Sequence, residues 1–396
     1  MPAPRARKLR KGVTPGESRV RTLVTEQITA DVAIVGGGTA GCSTALHLSW
    51  RGATVVLLER GSCGGQASGV NYGGVRQQGR DLAELPLARR SREMWGRLAE
   101  IVGSDCEFVA SGHVKLARSA ADMAELEAYR ESVRPYGLEL ELLGRDDLRA
   151  RYPFLGEAAF GGSLCAEDGA ANPRLVAPAF AHAARAAGAD IREHAPVTTI
   201  ERDGARFRLR TSSGIEVSAT TLVNVAGAWG HEIAARVGEA VPEDVVAPNM
   251  CVTEPVPYFM VPNFGVCGGG FYVRQIPRGN VIFGGGRGIA DRDRLRAYPV
   301  AASSLESSRQ TIALVPCLSH AQIIRTWTGI EGIMPDVLPV IGPSRTTPGL
   351  FHAFGFSGHG FQLGPAMGAV LCELILDGAT PTPIAGFDIG RFASTN

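Results

Sequence analysis

The chain has no Cys-x-x-Cys pair and no cluster of cysteines with histidines, so its eight cysteines do not compose a zinc or iron–sulfur site. Cys42, Cys63, Cys106, Cys165, Cys251, Cys267, Cys317 and Cys372 are dispersed, which reads as reduced thiols of a cytoplasmic protein with no metal. No stretch of about 18 residues is free of polar or glycine interruptions, so no membrane-spanning helix is expected. An excess of charge is also missing. Forty Lys and Arg stand against 39 Asp and Glu, a formal net charge of +1, which provides no global field for nucleic acid or acidic lipid. Arg5, Arg7, Lys8, Arg10 and Lys11 cluster at the start, but nothing apolar follows them, so export is not expected. Residues 1–30 read as a disordered basic tail. The 396 residues, 45% hydrophobic and 20% charged, suffice for two packed regions with a large core.

Glycine, by contrast, is abundant: 50 residues, grouped where backbone must turn with positive φ or press against a ligand. The first group follows Val32-Ala33-Ile34-Val35, a β-branched run suited to a strand covered on both faces. Gly36, Gly38 and Gly41 fit G-x-G-x-x-G, and Ala45, Leu46 and Leu48 then line a helix. The first glycine permits the turn, the second admits a pyrophosphate to the backbone N–H groups, and the third lets helix and strand approach. A second strand, Thr54 to Leu58, ends at Glu59, where a carboxylate accepts hydrogen bonds from an adenosine ribose and repels a 2′-phosphate. NADP is therefore disfavoured, while NAD and FAD share this half-site.

The segment after Arg60, GSCGGQASGVNYGGVRQQ, is a glycine-rich loop where a nicotinamide dehydrogenase would continue with its next helix and strand. Such a loop suits a longer cofactor lying extended. Asp81 to Glu100 has helical spacing, HVKLA and LELELL read as strands, and Ala120 to Tyr136 as a polar helix. Asn172-Pro173 opens an alanine-rich helix that runs to Gly188. DIREHAPVTTIER follows as a strand, then a hairpin turning at Ser213-Gly214, then VNVAGAWG, a second buried strand entering glycine. Val246 to Leu318 reads as strand-like and proline-punctuated, with a hairpin at Arg278-Gly279-Asn280. The chain closes with a strand, a loop carrying Gly355, Gly358 and Gly360, and an apolar helix whose N-terminal N–H groups can face an electron-rich ligand.

With GGGTAG and Glu59-Arg60, ASGVNYGGVRQQ, VNVAGAWG, GIMPDVLPVIG and GFSGHGFQLGPAMG in this order, the chain resembles the D-amino-acid oxidase family of FAD-dependent oxidoreductases from about Asp31 to Gly386. The branch it is most similar to contains glycine oxidases, sarcosine oxidase beta-subunits and opine or hydroxyproline dehydrogenases. The resemblance implies an α/β fold: a Rossmann-like FAD-binding domain assembled from residues 31–110, 165–245 and 325–396, and a substrate domain with a mostly antiparallel sheet from residues 111–164 and 246–324. It implies that Gly36, Gly38, Thr39, Ala40, Glu59 and Arg60 hold the ADP half of FAD, that Val197 meets the adenine, and that Ala226, Gly227 and Trp229 lie by the pyrophosphate and ribityl chain. Ala67 and Ser68 approach the flavin ring, and Gly332 and Met334 with Gly358, His359, Gly360, Phe361 and Gln362 reach its pyrimidine end. No cysteine or histidine matches a covalent attachment site, so the FAD is expected to be non-covalent.

The expected reaction is oxidation of the C–N bond of an amino acid or secondary amine by hydride transfer to the flavin, giving an imine that hydrolyses to a 2-oxo acid. The alternatives are a 2-hydroxy-acid dehydrogenase and a flavin subunit active only within a hetero-oligomer. Electrons pass to oxygen or to a redox partner subunit, and homo- or hetero-oligomers are both compatible. Four side chains are catalytic candidates. Arg76 can clamp a substrate carboxylate, and Tyr272 can line the cavity. Arg274 is a second carboxylate contact or a structural ion pair. His359 can bond the flavin ring or tune a proton transfer. Family members that oxidise small amino acids often carry an arginine just before the segment matching GIMPD. Here Glu331 stands there, as a contact for a substrate ammonium or as the partner of Arg325. The remaining histidines, His113 among them, read as ordinary core or surface residues.

Overall fold

Val32, Ala33 and Ile34 are at most 2% exposed, because their strand lies inside a parallel sheet with both faces covered. The computed structural model describes residues 26–393. The strand spans Glu26–Val35 and so begins within the segment assigned to the basic tail. Glu26 to Ala30 are drawn into the sheet by register with Ile215 to Ala219; the rest of that tail lies outside the described residues.

The first eight-stranded sheet runs Val340–Pro343, Leu350–Phe354, Ile215–Asn224, Glu26–Val35, Val55–Leu58, Asp190–Arg192. Its central pairs are parallel. The hairpin Val197–Asp203 and Arg206–Thr211 is attached through Ile215–Asn224. DIREHAPVTTIER is therefore two strands, separated where His194 takes a φ of 56° and the chain leaves one side of the sheet for the hairpin.

The second eight-stranded sheet runs Ile323–Trp327, Pro248–Pro255, Asn280–Arg287, Tyr272–Gln275, Asn263–Val266, His113–Ala117, Gly161–Cys165, Glu141–Leu143. It is antiparallel except between Asn263–Val266 and His113–Ala117. The strand Ile323–Trp327 belongs to this sheet, so the crossing back to the first sheet lies beyond Trp327 and not at 325.

One element of the region read as strand-like is a helix, Ala301–Leu314. Its serines gave no apolar stripe, and only Ser307, Thr311 and Leu314 are buried. Ser304, Ser307, Ser308 and Thr311 donate instead to carbonyls four residues back.

The helix Thr39–Trp50 packs against the last long helix, Gly360–Leu376. Glycine permits the approach: a Cβ on Gly364 would meet Thr39 Cγ2 at 2.8 Å, and one on Gly368 would meet Ser43 Oγ at 2.2 Å and its backbone at 2.4 Å. Ser43 Oγ also donates to the Pro365 carbonyl at 2.7 Å. The glycine turn near the start of the chain and the glycine loop near its end are thereby fixed side by side. No helix among the described residues is long and apolar enough to cross a membrane.

Candidate active site

The turn after the first strand needs glycine for steric reasons. Gly36 has a φ of +117° and a Cβ there would lie 2.3 Å from the Val225 carbonyl oxygen, while a Cβ on Gly41 would lie 2.0 Å from that of Gly36. Thr39 N–H donates to Ser68 Oγ at 3.0 Å, which holds the following loop against the helix start. The Glu59 carboxylate accepts from Gly37 N–H at 2.6 Å and Gly61 N–H at 2.7 Å. A carboxylate has about four lone-pair sites, so capacity remains for ribose hydroxyls.

Four cavities follow one another from this turn. The first, about 160 Å³, lies between Glu59, Arg60, Val197, Ile200, Ala226 and Trp229. Arg60 stacks on Trp229 with its guanidinium carbon 3.5 Å from the ring centroid. The second, about 90 Å³, is formed by Gly36 to Gly38 with Ala67, Ser68 and Gly227. The third, about 490 Å³, opens between Thr39, Ala40, Ala67, Ser68 and the segment Gly355 to Phe361, with Arg76, Tyr272, Glu331 and Gly332 on its walls. The fourth, about 570 Å³, shares Arg76, Gly270, Tyr272 and His359 with the third and extends to Arg80, Glu84, His113 and Lys115.

Most of the residues singled out in the sequence thus line this row of adjoining cavities: Gly36, Gly38, Thr39, Ala40, Glu59, Arg60, Ala67, Ser68, Val197, Ala226, Gly227, Trp229, Gly332, Gly358, His359, Gly360 and Phe361, together with Arg76 and Tyr272. Three side chains do not. Met334 is buried with Ala234, Val340 and Phe354 in a separate cluster. Gln362 is buried and donates from Nε2 to the Ala88 carbonyl at 2.8 Å; only its backbone belongs to the helix start. Arg274 is turned behind Tyr72, its guanidinium carbon 5.3 Å from that ring and Nη2 donating to the Ala171 carbonyl at 3.3 Å. Among the described residues it is neither a cavity contact nor half of an ion pair; Nη2 and the guanidinium face are held by the carbonyl and the ring, and Nε is buried without a hydrogen-bond partner.

The electrostatics of the last two cavities are set by burial. Glu331 forms no ion pair among the described residues, Arg325 included, and burial pushes its carboxyl up to about 7. His359 Nδ1–H donates to the buried Glu84 carboxylate at 2.8 Å. Burial and then the charge of Arg80 depress His359 to about 4, so its ring is neutral near pH 7. Tyr72 and Tyr272 meet at 4.5 Å between centroids with their planes tilted by 55°, and burial raises both phenols, keeping them protonated. Thr39 Oγ1 and Tyr72 Oη are buried without a hydrogen-bond partner, and both residues line the third cavity. Unsatisfied polar atoms around an apolar-floored space are the mark of a ligand site.

Arg80, Lys115, His113 and Glu84 were not read from the sequence as site residues. Glu84 opens the helix Leu85–Gly96, and His113 and Lys115 sit on a strand of the second sheet. Only the fold, which lays the loop and helix start of Arg80 and Glu84 against that strand across one cavity, brings them together.

Comparison with known proteins agrees with the geometry. The DAO family model, described as FAD dependent oxidoreductase, matches residues 31–374. Glycine oxidase of Geobacillus kaustophilus (strain HTA426) is 28% identical over 91% of this chain and 97% of its own length. Its crystal structure superposes with a TM-score of 0.86 at 27% identity, covering 92% of this chain and 99% of that one. Sarcosine oxidase subunit beta of Rhizobium meliloti (strain 1021) is 29% identical over 91% and 88%. L-proline dehydrogenase from P. horikoshii superposes with a TM-score of 0.85 at 27% identity, covering 93% and 98%. Human mitochondrial sarcosine dehydrogenase is 27% identical, and this chain spans 41% of its length.

Proposed function

The chain belongs to the DAO family of FAD dependent oxidoreductases, and from that premise we propose that it oxidises the C–N bond of an amino acid or secondary amine, the imine hydrolysing to a 2-oxo acid. The residues present fit non-covalent FAD. Glu59 offers acceptor sites at the adenosine end, the turn beside it admits no side chain at Gly36, and the start of Gly360–Leu376 reaches the third cavity with Gly360 and Phe361. Bound FAD supplies the hydride acceptor. In this reading the first sheet and its helices hold the cofactor, and the second sheet supplies the far wall of the substrate space.

The remaining work falls to side chains of this chain. Arg76, at the junction of the third and fourth cavities, receives the substrate carboxylate in a bidentate pair. Glu331 faces the same space and holds the substrate ammonium. Tyr272 closes the wall and excludes water. The neutral His359, fixed by Glu84, donates and accepts hydrogen bonds without carrying charge. The observation carrying the choice of an amine is Glu331, a carboxylate without an ion pair in a cavity that also holds a cation. A 2-hydroxy acid has no positive group to meet it.

The test is turnover on a panel of D- and L-amino acids, N-methyl amino acids, opines and 2-hydroxy acids, with the 2-oxo acid trapped as its hydrazone. Products from amines alone are expected; products from hydroxy acids alone would replace this reading with the dehydrogenase alternative. Peroxide release in the same assay separates oxygen from a partner subunit as electron acceptor. The relative named as a beta subunit supports the partner.

A further inference from the structure

The fourth cavity holds more positive charge than a single carboxylate requires. Arg76, Arg80 and Lys115 all line it, and none of the three forms an ion pair among the described residues. Two of them converge on one point. A Cβ on Gly79, whose φ is +75°, would lie 2.7 Å from Arg76 Nη1 and 3.2 Å from Lys115 Nζ. Arg80 is 3% exposed, and its Nη1 is buried without any hydrogen-bond partner. Of the acids on the same walls, Asp336 is paired with Arg391 at 2.8 Å and Asp81 accepts from the Ala83 N–H at 2.8 Å, while Glu84, hydrogen-bonded to the neutral His359, keeps its charge and offsets part of that of Arg80. His113 adds no charge, since burial holds it well below its ordinary value.

Arg80 Nε donates to the Arg76 carbonyl at 3.1 Å, but a buried donor of a cation left without a partner is costly, and a bound anion offsets that cost. Arginine cannot shed its proton, and its planar fork matches a carboxylate. We infer that Arg80 and Lys115 form a second anion subsite, and that the amine oxidised here carries a second carboxylate besides the one Arg76 receives. The inference rests on the reading of Arg76 and of an amine substrate given above. With one carboxylate on Arg76, the distal carboxylate extends into the fourth cavity, where Arg80 Nη1 and Lys115 Nζ meet it.

Two non-reactive probes of equal chain length, glutarate and pentanoate, decide the subsite without turnover. Each is titrated into the FAD-loaded protein and followed by perturbation of the flavin spectrum and by melting temperature. Glutarate should bind at least about tenfold more tightly, as expected for one added charge-assisted contact. Lys115→Met should erase most of that advantage, weakening glutarate far more than pentanoate, while Lys115→Arg should restore it. Lys115 is the variant of choice because Arg80 is fully enclosed. Equal binding of the two probes, or equal weakening of both by Lys115→Met, overturns the inference. In turnover, N-methylglutamate should exceed N-methylnorvaline in kcat/KM by a similar factor. Equal rates would overturn the second subsite and leave the amine reading standing. Oxidation of no amine at all would remove the amine reading, and the glutarate titration would still decide the subsite.

Discussion

At the scale of single residues, two side chains carry opposite consequences of the same burial. Glu331 stands near 7 and His359 near 4, so near neutral pH the acid is titrating and the imidazole is not. If Glu331 holds the substrate ammonium, KM should fall as pH rises through about 7 and Glu331 ionises, and Glu331→Gln should flatten that profile. Stability moves the other way. The carboxyl of Glu331 is raised in the folded state, so its contribution is present below its unfolded value of 4.5 and is lost as pH rises through about 7. Melting of wild type relative to Glu331→Gln, in the absence of substrate, should therefore fall across that window. Glu59 gives a simpler expectation. Removing its two backbone contacts and its ribose contacts by Glu59→Ala should weaken FAD binding by about ten- to a hundredfold, the range of hydrogen bonds to a charged group, as read by fluorescence of released flavin. These residues were legible because each sits at a fixed offset from a glycine motif. Arg80 and Lys115 were not, since they are 35 positions apart in sequence and no motif joins them.

At the scale of elements, the contact between the helices Thr39–Trp50 and Gly360–Leu376 fixes the site. Gly368→Ala would force a methyl to within 2.4 Å of the Ser43 backbone. Overpacking of this kind costs about 1–3 kcal/mol, and the variant should melt lower and retain FAD less well, checked by calorimetry with and without added cofactor. The glycine turn before Thr39–Trp50, the Asn-Pro start of Pro173–Ala186 and the apolar run of Gly360–Leu376 made these three helices readable in advance. The helix Ala301–Leu314 was hidden because its serines satisfy their hydroxyls on their own backbone and leave no apolar stripe. The break at His194 was hidden for a different reason: a positive φ at a non-glycine residue has no local signature. Met334 shows the limit of carrying a role over from a motif, and Arg274 that of assigning one from its place on a strand. Both lie at the right place in the chain, yet one side chain turns into a core cluster and the other onto an aromatic face.

At the scale of the molecule, two sheets meet along a run of cavities that starts at the amino-terminal glycine turn and passes the carboxy-terminal helix before ending among cations. A cofactor bound along this run contacts segments hundreds of residues apart, so binding and folding are linked. At about 100 times its dissociation constant, FAD should add about 2.7 kcal/mol to stability, seen as a rise in melting temperature that depends on FAD concentration. The most direct measurement of the whole account is the visible spectrum of the FAD-loaded protein, recorded without oxygen before and after addition of an N-methyl amino acid. The account predicts a yellow protein bleached stoichiometrically by the amine and unaffected by the matching 2-hydroxy acid. A protein that takes up no FAD, or one whose colour only the hydroxy acid discharges, would contradict it.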